Sequence, residues 1–277
     1  MLRLFSPAKV NLYLKIHHRR HDGYHELTTL LQTVDFGDFV TFATADRLRL
    51  TAPPDLPQGA GNLAWRAAQA YFAALGRIPR VHITLEKQIP VQAGLGGGSS
   101  NAATVLRGLN AMHNFALSTA TLSRLAAGLG SDVAFFLRGG TALATGRGEI
   151  VRPLPDLPPF HIRIVKPPFG LSTADVYARW TGPQTPADRI EVLALTGGFD
   201  LARLLYNDLE QPAFALRPEL MSLKGRLVAE GAEAALLCGS GSAVFGVYRQ
   251  KPLWRPAETE RGREWLVGTL PAYDTIE

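Results

Sequence analysis

The sequence lacks the features that would mark several large classes of protein. It holds one cysteine, Cys238, in 277 residues. One thiol builds neither an intramolecular disulfide framework nor a zinc cluster by itself, which points to a reducing compartment. No uninterrupted apolar run reaches the roughly 18 residues a membrane helix requires. The opening stretch, MLRLFSPAKVNLYLKI, alternates like a strand and has no signal-peptide core, so a cytoplasmic protein with no membrane partner is expected. Internal repeats and low-complexity tracts are also missing. The net charge is +5, partly from HHRRH at 17–21, but there is no basic helix stripe or aromatic-interleaved RNA motif. Anionic small molecules therefore fit the charge better than nucleic acid.

What is present is an ordinary globular composition, 46% hydrophobic, with length for one large or two smaller domains. Proline-rich connections occur at 53–57 (PPDLP) and 153–160 (PLPDLPPF). The second suggests a boundary near residue 156, with domains over 1–155 and 156–277. Val81, Ile83 and Leu85 alternate with polar neighbours, which predicts a strand over 81–86. Helices are expected over 62–75, capped by Asn62 and stopped at Gly76, from Ser99 onward, between Ser118 and Gly130, and over 200–216 and 218–230. Strands HIRIVK (161–166), AALLCG and AVFGVY complete a mixed α+β reading.

Residues 92–104 read QAGLGGGSSNAAT. Glycines before a helix start let backbone amides approach an anion without a Cβ in the way, and the helix end adds partial positive charge. Ser99 and Ser100 would cap that helix or offer hydroxyls. Two familiar templates fail. The Walker motif needs a lysine before the Ser or Thr, and here Gly98 stands there; the dinucleotide fingerprint needs an acid about twenty residues on, and Thr121 stands there. A plain helix cap with a mobile loop is the alternative. Small residues beyond the loop (Asn101, Ala102, Ala103) suggest close packing of the helix.

Further candidates are spread along the chain. Lys9 and Asn11 share one face of a strand whose other face carries Val10, Leu12 and Leu14; the plain reading is a solvent-facing side of the strand, and the functional one is a lysine and an amide delivered side by side to a pocket. In GSDV, Ser131 or Asp132 would cap a short apolar helix, VAFFL, or Asp132 would serve as a general base. In DGYHEL, the Asp22-Gly23 turn is followed by Tyr24 and His25, a pair suited to a flat ring. His17, His18, His21 and His25 suggest no metal site, because no carboxylate or cysteine completes one and Arg19 and Arg20 would repel a cation. Leu237 to Ala243 holds a second glycine-serine turn, read locally as a hairpin.

Together PAKVNLYL, DGYHEL, IPVQAGLGGGSSNAAT, GSDVAFFL and LCGSGSAVFG resemble, in order and across nearly the whole chain, the GHMP kinase superfamily. DGYHEL resembles the branch that acts on a cytidine-diphosphate-linked methylerythritol. The resemblance implies a ribosomal protein S5 domain 2-like N-terminal domain and a ferredoxin-like C-terminal domain with the active site between them. It implies transfer of the γ-phosphoryl of ATP to the 2-hydroxyl of that substrate, in non-mevalonate isoprenoid synthesis. Pro90, Val91, Gln92, Ala93, Gly94, Leu95, Gly96, Gly97, Gly98, Ser99 and Ser100 match the ATP loop. Asp132 matches the catalytic base and Lys9 its partner; Asn11 and Lys87 match polar substrate or phosphate contacts. Tyr24 and His25 match the cytosine site, with Tyr177 as a second stacking ring and Phe169 as its fallback. Gly239, Ser240 and Gly241 match a third, supporting motif. Ser131 and Ala134 depart from the more frequent Ala and Pro, and Gln92-Ala93 from a more glycine-rich start. Mg²⁺ is expected from the chemistry of ATP, with no protein ligand assigned. The alternatives are another GHMP small-alcohol kinase and a non-catalytic RNA-binding protein of S5 type. A monomer or weak homodimer is expected, and Lys251 to Glu277 carries no assignment.

Overall fold

The computed structural model describes residues 1–182, 204–254, 258–259 and 262–273. Two long strands begin the chain, β1 (Leu2–Arg19) and β2 (His25–Thr44), paired antiparallel along nearly their full lengths. Their register shifts at Pro7/Ala8, Asn11/Tyr13 and Ile16/His18, where bulges bend the ribbon. Around this hairpin gather β3 (Arg49–Thr51), β4 (Val81–Glu86), β5 (Thr141–Thr145) and β6 (Ile150–Pro153). The far half of β2 pairs with β4 and its near half with β5.

One face of this first sheet is covered by α1 (Leu63–Ala74), α2 (Gly97–Met112) and α3 (Thr119–Leu129). The Asn62 side chain caps α1 by accepting from the Ala64 amide at 3.0 Å, and that of Ser118 caps α3 by accepting from Thr121. Gly76 takes φ +63° just past α1, as a helix stop requires. The small residues of α2 do allow close approach: Ala102 and Ala103 are fully buried, and a Cβ on Gly108 would lie 2.5 Å from the Phe42 ring.

A second sheet runs β11 (Glu258–Thr259), β12 (Gly262–Gly268), β7 (His161–Lys166), β10 (Val244–Tyr248), β9 (Ala234–Leu237). Three helices pack on its outer side, α4 (Thr173–Ala178), α5 (Glu210–Leu216) and α6 (Glu219–Ala229). Its inner side presents Ile162, Ile164, Leu236, Phe245, Val247 and Val267 to Val10, Leu12, Leu30 and Val34 of the first sheet, forming one core between them. The order through the molecule is thus helices, sheet, sheet, helices, an α+β architecture. Among the described residues no helix is long and apolar enough to cross a membrane.

Three expectations need correction. The helix expected over 200–216 starts at Glu210; residues 200–203 lie outside the described residues, and Tyr206–Asn207 form β8, parallel to β1. VAFFL is a run of turns ending in one 3₁₀ turn at Phe135–Leu137, because Gly139 and Gly140, both at positive φ, break it before a helix propagates. The loop helix opens at Gly97, two residues before Ser99, with Gly96 in left-handed conformation at its cap and no side-chain cap.

Candidate active site

The glycine loop is fixed from behind by the second glycine turn. Ser242 N donates to Gln92 O at 3.0 Å and Ala243 N to Ala93 O at 3.2 Å. Gly94 has φ +75°, and a Cβ there would fall 1.7 Å from the Cys238 carbonyl oxygen. Glycine is the residue such contact allows. The 237–243 turn is therefore more than a hairpin: it is the floor of the loop. It is held in turn by Asn207, whose amide donates to Leu237 O at 3.0 Å and Gly239 O at 2.7 Å. Burial raises the Cys238 thiol to about 12, so it sits as a small apolar core residue.

On the other side the loop binds β1. Lys9 N donates to Leu95 O at 3.0 Å. The Lys9 ammonium, 4% exposed, donates to Asn11 Oδ1 at 2.5 Å and stands 3.6 Å from Asp132 Oδ2. Asn11 in turn donates to Thr29 Oγ1 at 2.8 Å. A solvent-facing side of the strand is excluded. Asp132 caps no helix; it is partly exposed in the cavity, carried by the 131–134 turn. A Cβ on Gly239 would lie 3.2 Å from Asn11 Oδ1 and 3.3 Å from Lys9 Nζ, so the second turn also closes over this pair.

Loop, lysine, acid and second turn line one cavity of about 1260 Å³. The same cavity also carries rings. Asp22 Oδ1 accepts from Tyr24 N at 3.1 Å, making the turn that presents Tyr24, 51% exposed. The His25 ring lies 5.1 Å from Tyr177, tilted by 37°, and 5.5 Å edge-on from Trp180. Arg147 lies 4.8 Å over Tyr24. Burial, and secondarily the Arg19 charge, hold the His25 imidazole below its ordinary value. Burial and the nearby Asp132 raise the Tyr177 phenol, which therefore stays protonated.

Not every residue singled out in the sequence faces this space. Ser100 is fully buried and shares a 2.8 Å hydrogen bond with Ser6, away from the cavity lining. Lys87 reaches the cavity edge, but its ammonium donates to the fully buried Asp38 and, at 2.9 Å, to Asn101 Oδ1. Asp38 also accepts from Gln88 N, Ile89 N and Asn101, so this cluster ties the segment just after β4 to the N-terminal part of α2. Phe169 lies outside the lining, its ring under Arg217 at 4.7 Å; of the two C-terminal aromatics weighed, Tyr177 is the one in the cavity. Ser240 bonds Thr173 at 2.9 Å, joining the second turn to the start of α4. The sequence reading missed Trp180, Arg147 and Asn207. Trp180 lies two residues beyond the end of α4, so no helix periodicity in the sequence pointed to it. Asn207 was obscured by the helix expected there.

Comparisons with known proteins place the chain in a family. A family model described as the GHMP kinases N terminal domain matches residues 62–140, and one described as GHMP kinases C terminal matches residues 198–256. A 4-diphosphocytidyl-2-C-methyl-D-erythritol kinase of Moorella thermoacetica is 48% identical over 257 residues, covering 89% of this chain and 90% of the relative. One of Geobacter metallireducens is 40% identical over 282 residues, covering 98% of each. A crystal structure of 4-(cytidine 5'-diphospho)-2C-methyl-D-erythritol kinase superimposes with TM-score 0.79 at 38% identity, covering 97% of this chain and 99% of its own. A homoserine kinase of Cytophaga hutchinsonii reaches TM-score 0.73 at 20% identity, covering 98% and 95%, and shares the fold. The class is that of the GHMP kinases. Within it, the chain belongs to the 4-diphosphocytidyl-2-C-methyl-D-erythritol kinase family.

Proposed function

We propose that this chain transfers the γ-phosphoryl group of ATP to the 2-hydroxyl of 4-diphosphocytidyl-2-C-methyl-D-erythritol, in the non-mevalonate route to isoprenoid precursors. One observation carries the reading: a single cavity is lined by a glycine loop at a helix start, a lysine–aspartate pair, and a cluster of rings. Loop and pair suit a phosphoryl donor and its acceptor hydroxyl. The rings of Tyr24, His25 and Tyr177 suit a cytosine. A kinase for a small alcohol without a base has no use for them.

Phosphoryl transfer asks a protein chiefly for positioning and charge neutralisation. Pro90 through Ser99 supply backbone amides and the α2 end to the triphosphate. Asp132 takes the proton of the acceptor hydroxyl, while Lys9, fixed by Asn11, stands beside the reacting oxygens. Lys87 acts through α2, holding Asn101 near its N-terminal end. His25, neutral at pH 7, has a donor and an acceptor for the cytosine edge while Tyr177 or Tyr24 covers its face.

A bound Mg²⁺ would neutralise charge between phosphate oxygens. Among the described residues there is no cluster of three acidic, His or Cys ligands, and Asp132 is the carboxylate on the cavity wall. Hard oxygen donors suit the ion, and Ser99 and Asp132 would share it with phosphates and water. The domains fall at 1–155 and 156–277 in this reading. The chain works in the cytoplasm as a monomer or weak homodimer, on a small molecule and without nucleic acid or membrane.

The decisive measurement is ADP release on adding the cytidine-diphosphate methylerythritol, with Asp132→Ala alongside. Substrate-dependent release, reduced by at least about a hundredfold in the variant, is expected. No stimulation by this substrate, stimulation by homoserine or mevalonate in its place, or full rate in the variant would each overturn the reading.

A further inference from the structure

The last described residues leave β12 and cross to the other sheet. Gly268 N donates to Asp35 Oδ1 at 2.7 Å, and Leu270 N to Thr33 O at 2.9 Å. The Leu270 carbonyl accepts from Gln32 Nε2 at 2.7 Å and from Thr33 Oγ1 at 3.2 Å. Ala272 bridges to Gly139, and Tyr273 N donates to Arg138 O at 3.1 Å. The last described residue, Tyr273, thus lies against the segment just after Asp132.

There the Tyr273 side chain meets Phe136, Gly139 and Arg107. Its hydroxyl donates to the Phe136 carbonyl oxygen. Its ring covers Gly139, where a Cβ would come within 2.4 Å of Cε1. The Arg107 guanidinium of α2 lies 3.9 Å over the same ring. Burial raises the phenol well above its ordinary value, against the opposite pull of Arg107, so the hydroxyl remains a donor. Phe136 in turn packs on the catalytic side: a Cβ on Gly96 would lie 2.9 Å from its ring and 3.1 Å from Lys9 Cγ.

From these contacts we infer that Tyr273 is a positioning residue: it latches the 131–138 turn, and so sets Asp132 against Lys9 and the acceptor hydroxyl. Tyr273 lies outside the cavity lining and does not meet substrate. Its hydroxyl holds the carbonyl of a residue four positions beyond the acid. Its ring joins that turn to the helix opened by the glycine loop. The segment with no motif in the sequence thereby becomes the clasp of the site. The inference rests on the role proposed for Asp132.

The test is Tyr273→Phe, which keeps the ring over Arg107 and removes only the hydroxyl. Expected is a kcat about tenfold lower with both KM values within about twofold, the size of one lost positioning hydrogen bond. In an Asp132→Asn background the same change should lower the residual rate by less than about twofold, since the group it positions is gone. Amide exchange over 131–138 should quicken in the variant without substrate while α1 and β4 keep their protection. An unchanged kcat, an equal loss in both backgrounds, or unaltered exchange over 131–138 overturns the latch. If the unaltered chain has no activity on the proposed substrate, the reaction assignment fails instead; the exchange measurement then decides the latch alone.

Discussion

At the scale of single residues, the cavity separates groups that a sequence places side by side. Lys9 and Lys87 both read as candidate phosphate contacts. Lys9 stands in the cavity with a carboxylate at 3.6 Å, whereas Lys87 is committed to a buried carboxylate and the α2 amide Asn101. Only the fold assigns Asp38, 49 residues upstream of Lys87, as its partner. Of the two histidines whose imidazoles burial lowers, His25 and His113, His25 is the one that lines the cavity. Its imidazole is held below the ordinary 6.5 by burial and by Arg19, so the folded protein favours the neutral ring. A base depressed by folding loses stabilisation as pH falls: the unfolded chain takes up the proton at the ordinary value, the folded chain only below it. Protonation also removes the imidazole's one acceptor. The KM for the cytidine substrate should therefore rise as pH drops from 7 to 5.5, with kcat changing less. Initial-rate pH profiles test this, and His25→Gln should flatten the KM profile while raising KM at pH 7. A KM independent of pH in the unaltered chain would remove His25 from base recognition.

At the scale of elements, the glycine loop contains glycines of two kinds. Gly94 is required by the structure, because its Cβ would occupy the Cys238 carbonyl oxygen at 1.7 Å. Gly98 is not. It lies in the first turn of α2, exposed, and a Cβ there would meet only Leu63 Cδ1 at an ordinary 3.7 Å. Helix propensity alone would gain about 0.5–1 kcal/mol from alanine at such a position. A glycine kept where folding disfavours it suits close approach of an anion. Gly98→Ala should accordingly keep or raise the Tm while weakening ATP by about tenfold or more, comparable to losing one hydrogen bond to a charged group, about 1.5–3 kcal/mol. Gly94→Ala should lose both stability and activity. Thermal melts with nucleotide titrations distinguish them; unchanged ATP affinity in Gly98→Ala would argue for a plain helix cap. Such elements were largely legible: β4 occupies 81–86 as its alternation requires, and α1 and α3 start after the caps Asn62 and Ser118. What escaped depends on distant partners. Residues 206–207 became a strand because β1 offers an edge, and VAFFL stopped after one turn because glycines and Tyr273 hold it.

At the scale of the whole molecule, the proline-rich stretch at 153–160 looks like a hinge between independent units, yet three features join what lies on either side. The inner faces of the two sheets share one core, to which Val10 and Leu12 contribute from one side and Phe245 and Val267 from the other. The short strand β8, far beyond the proline stretch, adds to the first sheet. The tail after β12 returns to β2 and to the turn behind Asp132. Separating the halves would expose the inner face of each sheet, at about 25 cal/mol for every Å² of apolar surface. The core between the sheets, which draws residues from both halves, is then lost, and only the helix-covered core of the first sheet stays whole. Unfolding should therefore be a single cooperative transition, with calorimetric and van't Hoff enthalpies agreeing, in contrast to the two steps of loosely tethered domains. Residues 156–277 produced alone should show no cooperative melt. Two resolved calorimetric peaks in the full chain, or a sharp transition in that fragment, would mean that the interface between the sheets contributes little. The catalytic groups would then be aligned by domain closure, not by a shared core. A single peak, lowered by deletion of 269–277, would place the alignment of Lys9, Asp132 and the glycine turns in the folding transition itself.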